Sequence, residues 1–78
     1  MRITTTAYKD LASIPKQTAG RILDRIQKLE NGLTGDIKKL NDFDPPYRLR
    51  VGEYRVLFDM EASLILVRSI KHRKDAYR

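Results

Sequence analysis

The spacing of apolar residues predicts an α+β domain: an N-terminal helical hairpin packed on one face of a small, mainly antiparallel β-sheet, in the order β-α-α-β-β-β. Three observations lead there. Apolar residues recur at helical spacing up to about residue 30, and they alternate with polar residues from position 47 onward. Between two of the alternating runs sits Gly52-Glu53, a two-residue loop with glycine first, which is the chemistry of a type II′ hairpin turn.

Residues 1–4 read as a short strand, followed by Thr5 or Thr6 as a helix N-cap whose hydroxyl takes up an orphan backbone N–H. Ala7, Tyr8, Leu11 and Ala12 share one face of a short helix. Pro15 has no donor and disfavours helical geometry at Ile14, so this helix ends near Ser13. A second helix is expected over residues 15–30. Ala19, Ile22, Leu23, Ile26, Leu29 and Leu33 follow its apolar stripe, with Arg21, Asp24, Arg25 and Lys28 on the other side. Asn31-Gly32 supplies a left-handed stop. Residues 34–46, with Gly35 and Pro45-Pro46, read as a connection that Leu40 and Phe43 pin to the core. Three strands follow at 47–51, 54–59 and 64–71, the last two joined by a turn that includes Glu61-Ala62.

The chain of 78 residues is expected to be a single domain, 1–78, with one small core. An apolar share of 41% is too high for a disordered tail, and the apolar runs are too interrupted for a membrane span. No charged-then-apolar leader opens the sequence, which points away from export and toward the cytoplasm. With no cysteine and only His72 as imidazole, neither a disulfide scaffold nor a thiolate metal site is available, and no metal or cofactor is expected. The net charge of +6 falls unevenly. Residues 47–78 hold eight bases and four acids, against eight and six in the longer stretch 1–46. That excess suits either simple solubility or a polyanionic partner.

The hairpin turns the charge excess into geometry. With Gly52-Glu53 as the loop, Val51 faces Tyr54, Arg50 faces Arg55, Leu49 faces Val56 and Tyr47 faces Phe58. Alternation then puts Tyr47, Leu49, Val51, Tyr54, Val56 and Phe58 under the helices, and Arg48, Arg50, Arg55 and Leu57 on the opposite side. An even loop around Glu61-Ala62 carries the register on, with Val56 opposite Val67 and Arg55 opposite Arg68. Three arginines would stand side by side, with Arg48 two residues along. Like charges directly opposite cost roughly 0.2–1 kcal/mol a pair. Folding gains nothing from that placement, and an anion would. The run Lys71-His72-Arg73-Lys74-Asp75-Ala76-Tyr77-Arg78 adds bases and a stacking aromatic beside the row, a combination used in RNA contact. No helix carries Arg and Asn at the spacing of a duplex groove reader.

The stretches YRLRVGEYRVLFD (47–59) and SIKHRKDAYR (69–78) resemble the RelE family of prokaryotic type II toxins, within the RelE/ParE superfamily, and AYKDLASIPKQTAGRILDRIQKLENG resembles that family's helical hairpin. The resemblance implies the RelE-like fold just described. It also implies an endoribonuclease, an mRNA interferase that cuts mRNA in the ribosomal A site and so inhibits translation. In that reaction the ribose 2′-OH attacks the adjacent phosphate without a metal, leaving a 2′,3′-cyclic phosphate and a 5′-OH. Carried over by position, Arg48 and Arg50 match the family's two basic strand residues. Arg55 matches the arginine of the next strand, Arg73 the one after the third strand, and Tyr77 the C-terminal tyrosine. Arg68, Lys71, His72, Lys74 and Arg78 would then contact RNA. One departure is notable: the positions of Arg48 and Arg50 are lysines in some members. A guanidinium stays protonated in proteins, so it neutralises a phosphate but is a poor proton shuttle. Proton transfer would fall to Tyr77, His72 or Lys71, or to the ribosome and RNA. The partners implied are a RelB-like antitoxin, the ribosome and mRNA.

Two other readings share the sequence features. A ParE-like branch has the same fold and a similar hairpin but poisons DNA gyrase; the presence of Arg48, Arg50, Arg73 and Tyr77 favours the nuclease. A non-catalytic RNA- or ribosome-binding module would use the same basic face and leave transcripts intact.

Overall fold

A two-residue strand, β1 (Arg2–Ile3), leads into α1 (Thr5–Ala12) and α2 (Lys16–Leu29). Four strands follow: β2 (Ile37–Lys39), β3 (Tyr47–Val51), β4 (Tyr54–Glu61) and β5 (Leu64–His72). The computed structural model describes residues 1–32, 37–62 and 64–75. Leu33 and Gly35, and Ala76, Tyr77 and Arg78 at the C-terminal end, lie outside the described residues. The strands form one sheet in the order β1-β5-β4-β3-β2, antiparallel except for the parallel pair β1 and β5. Two helices on a mixed sheet match the expected fold, and β2 is an addition inside the stretch read as a connection.

Thr4, one residue before the expected caps, starts α1. Its Oγ1 accepts from the Ala7 amide at 3.2 Å and donates to the Arg68 carbonyl at 2.8 Å, so one hydroxyl ties the helix start to β5. α1 packs chiefly on β5 through Ala7. Tyr8, expected on the buried face, is 70% exposed, and Ala7 is the fully buried residue of the helix instead. α2 buries Ile22, Ile26 and Leu29, spaced 4 and 3 apart as the stripe requires. They meet Leu49, Val51, Val56, Phe58, Ile65, Val67 and Ile70 from the sheet. Each such fully buried side chain contributes roughly 1.5–3 kcal/mol. Tyr47 stacks on Phe58 at 5.3 Å.

The β3–β4 hairpin has the expected register, with Arg50 opposite Arg55 and Val51 opposite Tyr54. Gly52 sits at φ 59°. Ala62 is the only other-than-glycine position at positive φ among the described residues, so Glu53 is at negative φ, as a type II′ turn requires. The β4–β5 register differs from expectation. Glu61 pairs with Leu64, so the β5 partners lie two positions later than a loop at Glu61-Ala62 would place them, and the register shifts by one more between Leu57 and Phe58. Arg68 is the extra residue of this bulge. Val56 therefore faces Ile70 rather than Val67, and Arg55 faces Lys71 rather than Arg68. The cause is apolar spacing: the buried residues Val67 and Ile70 are three apart, and only a bulge lets both face the helices.

The connection before β3 also departs from expectation. Phe43 is 42% exposed and Leu40 only half-buried. The loop is held by polar and cationic contacts instead, to Arg48 and Arg68, on the face turned away from the helices.

Candidate nucleic-acid interface

On that outer face, at the end near the Gly52-Glu53 turn, three cations stand in one row across three strands. Arg50 of β3 faces Arg55 of β4, which faces Lys71 of β5. Arg50 and Arg55 are flanked by residues that point into the core, and Lys71 by the buried Ile70 and by His72 against Tyr54, so alternation fixes all three on the same side. Neighbouring strands lie about 4.8 Å apart, close enough for three positive charges to raise each other's energy and to share one anion. Arg50 and Lys71 are exposed. Arg55 between them is half-buried, and its Nη1 donates to the Tyr54 carbonyl at 3.3 Å, which fixes the guanidinium in place.

The other expected site residues have different surroundings. Arg48 is 3% exposed. Its Nη1 donates to the carbonyls of Pro45 and, at 3.2 Å, Tyr47, and its guanidinium carbon lies 5.3 Å from the centre of the Phe43 ring. The structure thus separates Arg48 from the row: it is buried beneath the loop over residues 40–46. Arg68 is not in the row either, because the bulge displaces it. Its Nη1 sits 2.8 Å from Asp59 Oδ2 and 3.8 Å from Asp44 Oδ1, so carboxylates already oppose its charge. Arg73 lies just past β5. Its amide donates to the Glu53 carbonyl at 2.7 Å and its Nε is 3.1 Å from Glu53 Oε2, which clamps the segment after β5 to the β3–β4 turn. Lys74 is exposed in the turn that follows.

His72 pairs with Tyr54 and meets its ring edge-on at 5.5 Å, on the helix side of the sheet. Its Nδ1 accepts from the Lys74 amide at 3.3 Å. Alternation therefore puts the imidazole on the side opposite the row, and of the described proton-carrying candidates only Lys71 stands within it. Among the described residues no three His, Asp or Glu side chains gather into a metal-holding group.

Sequence reasoning missed three residues that shape this face. Asp59 shares the parity of Arg55 and Leu57, so its place beside the arginines is legible from alternation alone. Glu53 is visible as a turn residue but not as the partner of Arg73. Phe43 carries no such signal, since nothing in an irregular segment says which side of the sheet it crosses.

A fold of this topology with a cationic sheet face can be compared with known proteins. Residues 1–77 match the family model for the ParE toxin of the type II toxin-antitoxin system parDE. The chain is 35% identical over 77 residues to Toxin RelE3 of Methanocaldococcus jannaschii, covering 92% of this chain and 88% of that protein. The chain belongs to the RelE/ParE superfamily of type II toxins. A crystal structure of a RelB-RelE antitoxin-toxin complex from Methanococcus jannaschii superimposes on this toxin with a TM-score of 0.81 at 32% identity, covering 99% of this chain and 95% of that one. The toxin-antitoxin complex RelBE2 of Mycobacterium tuberculosis gives 0.77 at 24% identity over 95% and 90% of the two chains, a likeness of fold. Among the toxin's described residues, no helix is long and apolar enough to cross a membrane.

Proposed function

We propose that this toxin is a ribosome-dependent mRNA endoribonuclease. The 2′-oxygen of a ribose in the A site attacks the adjacent phosphorus, the bond to the 5′-oxygen breaks, and a 2′,3′-cyclic phosphate and a 5′-OH are left. The observation that carries this reading is the row Arg50–Arg55–Lys71, like charges set opposite one another on an exposed sheet face in a RelE/ParE toxin. In-line attack builds negative charge on the phosphorus-bound oxygens, and fixed cations stabilise that charge more than the ground state. Arg55, already held by the Tyr54 carbonyl, is pre-positioned for this, whereas Arg73, whose charge Glu53 opposes as Asp59 opposes that of Arg68, exchanges that carboxylate for the phosphate. The 2′-OH proton and the proton taken up by the leaving oxygen need groups other than guanidinium. Lys71 in the row, Tyr77 at the position of the family's C-terminal tyrosine, and the ribosome itself are the candidates, with no resident metal in the scheme. Because a solved relative is a RelB-RelE antitoxin-toxin complex, a RelB-like antitoxin is the inferred partner that holds the toxin inactive.

Primer extension on a reporter mRNA after induction tests the reading. Discrete 3′ ends positioned by the reading frame, present only while the message is translated, are expected. Intact transcripts with a DNA-damage response would instead assign the toxin to gyrase poisoning, and intact transcripts without one to plain RNA binding.

A further inference from the structure

The loop over residues 40–46 is fastened in an unusual way. An apolar side chain turned into the core would anchor it more cheaply than a buried arginine, yet Arg48 is taken out of solvent to hold the Pro45 carbonyl and to lie under the Phe43 ring. Phe43 is left 42% exposed. The other large exposed apolar side chains are elsewhere: Tyr8 on α1, and Leu64 at the far end of β5 beside the β4–β5 turn. Among the described residues, Phe43 is the one of these that lies against Arg48, on the face and near the end that carry the cations. Arg48 beneath it and Arg50 are two residues apart on the same side of β3, roughly 7 Å along the strand. Asp44, next in the loop, reaches Arg68 at 3.8 Å, a second tie of the loop to the sheet.

We propose that Phe43 is a base-contacting residue: one unstacked RNA base lies against the exposed part of its ring while the neighbouring phosphate rests on Arg50, Arg55 and Lys71. This rests on the RNA-cleaving reading and adds to it the element that grips the nucleotide by its base. A cationic track with an aromatic beside it is how proteins hold single-stranded nucleic acid, with stacking indifferent to salt and phosphate contact sensitive to it. A rigidly mounted ring does this with little ordering cost, and Arg48 provides the mount.

The difference in salt response supplies the experiment. Wild-type toxin, Phe43→Leu, Phe43→Trp and Arg55→Ala are titrated with a short single-stranded RNA whose ribose at the cleavage step is 2′-deoxy, over a series of salt concentrations. Phe43→Leu is expected to bind about tenfold or more weakly with an unchanged log–log salt slope. Arg55→Ala is expected to lower that slope by about 0.7. The chain has no tryptophan, so Phe43→Trp introduces a single indole, whose emission is expected to be quenched by RNA with affinity near wild type. If Phe43→Leu binds as wild type and the Phe43→Trp emission ignores saturating RNA, while Arg55→Ala behaves as expected, the inference about Phe43 falls and the RNA reading stands. If Phe43→Leu weakens only antitoxin binding, the ring is a protein contact and the inference also falls. If wild type does not bind RNA, or Arg55→Ala keeps the full slope, this inference falls, while the ribosome-dependent reading is decided separately by primer extension. Should Phe43→Leu unfold, the emission of Phe43→Trp decides alone.

Discussion

Arg48 and Arg50 stand two positions apart on one face of β3, and their surroundings give them opposite roles. Arg48 satisfies the carbonyls of Pro45 and Tyr47 under the loop. Replacing it by leucine leaves a buried carbonyl without its donor, and a loss of about 1–3 kcal/mol in urea unfolding is expected. Arg48→Lys should recover only part of this, since an ammonium cannot span two acceptors and a ring as a planar guanidinium does. Arg50 is exposed and faces Arg55. Arg50→Ala takes one cation from the row, and cleavage on programmed ribosomes is expected to fall about 10²–10³-fold. Residue type and parity alone do not separate these two arginines. What separates them is the path of an irregular loop, and that path depends on Arg48 itself.

β5 is the element that joins the fold to the site. Its outer edge is closed by only two residues of β1, after which α1 takes over with side chains. Thr4 covers the Arg68 carbonyl, and Asp10 Oδ2 accepts from the Ile70 amide at 2.9 Å. Ile70 precedes Lys71, so this bond holds the strand where it delivers a cation to the row. Asp10→Ala is expected to cost about 1 kcal/mol and to speed hydrogen exchange at the Ile70 amide, whereas Asp10→Asn, which keeps an acceptor, should do much less. Unchanged exchange in Asp10→Ala would show the bond to be idle. The helices and the first hairpin are legible in the sequence because their periods are regular and Gly52 marks the turn. The register of β5 is legible only in retrospect: the buried positions Ile65, Val67 and Ile70 step by two and then by three, the mark of a bulge. β2 is too short for alternation to distinguish it from a connection.

At the scale of the whole molecule, the toxin divides its two sheet faces between stability and chemistry. The helix side holds nearly all the apolar burial, and the outer side holds Arg68 with Asp59 and Asp44 at one end and the row Arg50, Arg55 and Lys71 at the other. Parity in the sequence forecast a cationic face. It named the wrong third member, because the bulge brings Lys71 where Arg68 was expected. The face persists because Lys71 is also a cation, so the substitution changes which side chain can carry a proton while leaving the row's charge the same. In this division Arg68 contributes to packing the loop, and Arg68→Ala should lower stability with little change in cleavage, whereas Arg50→Ala should lower cleavage.

The most direct test is the rate at which Arg55→Ala cleaves a message on programmed ribosomes, measured beside its unfolding free energy. Cleavage is expected to fall about 10²–10³-fold, the usual loss for one fixed donor to a developing oxyanion, with folding stability within about 1 kcal/mol of wild type, since relief of the like charges offsets the lost bond to the Tyr54 carbonyl. Wild-type cleavage by that variant, or a loss of cleavage matched by a loss of fold, would contradict it.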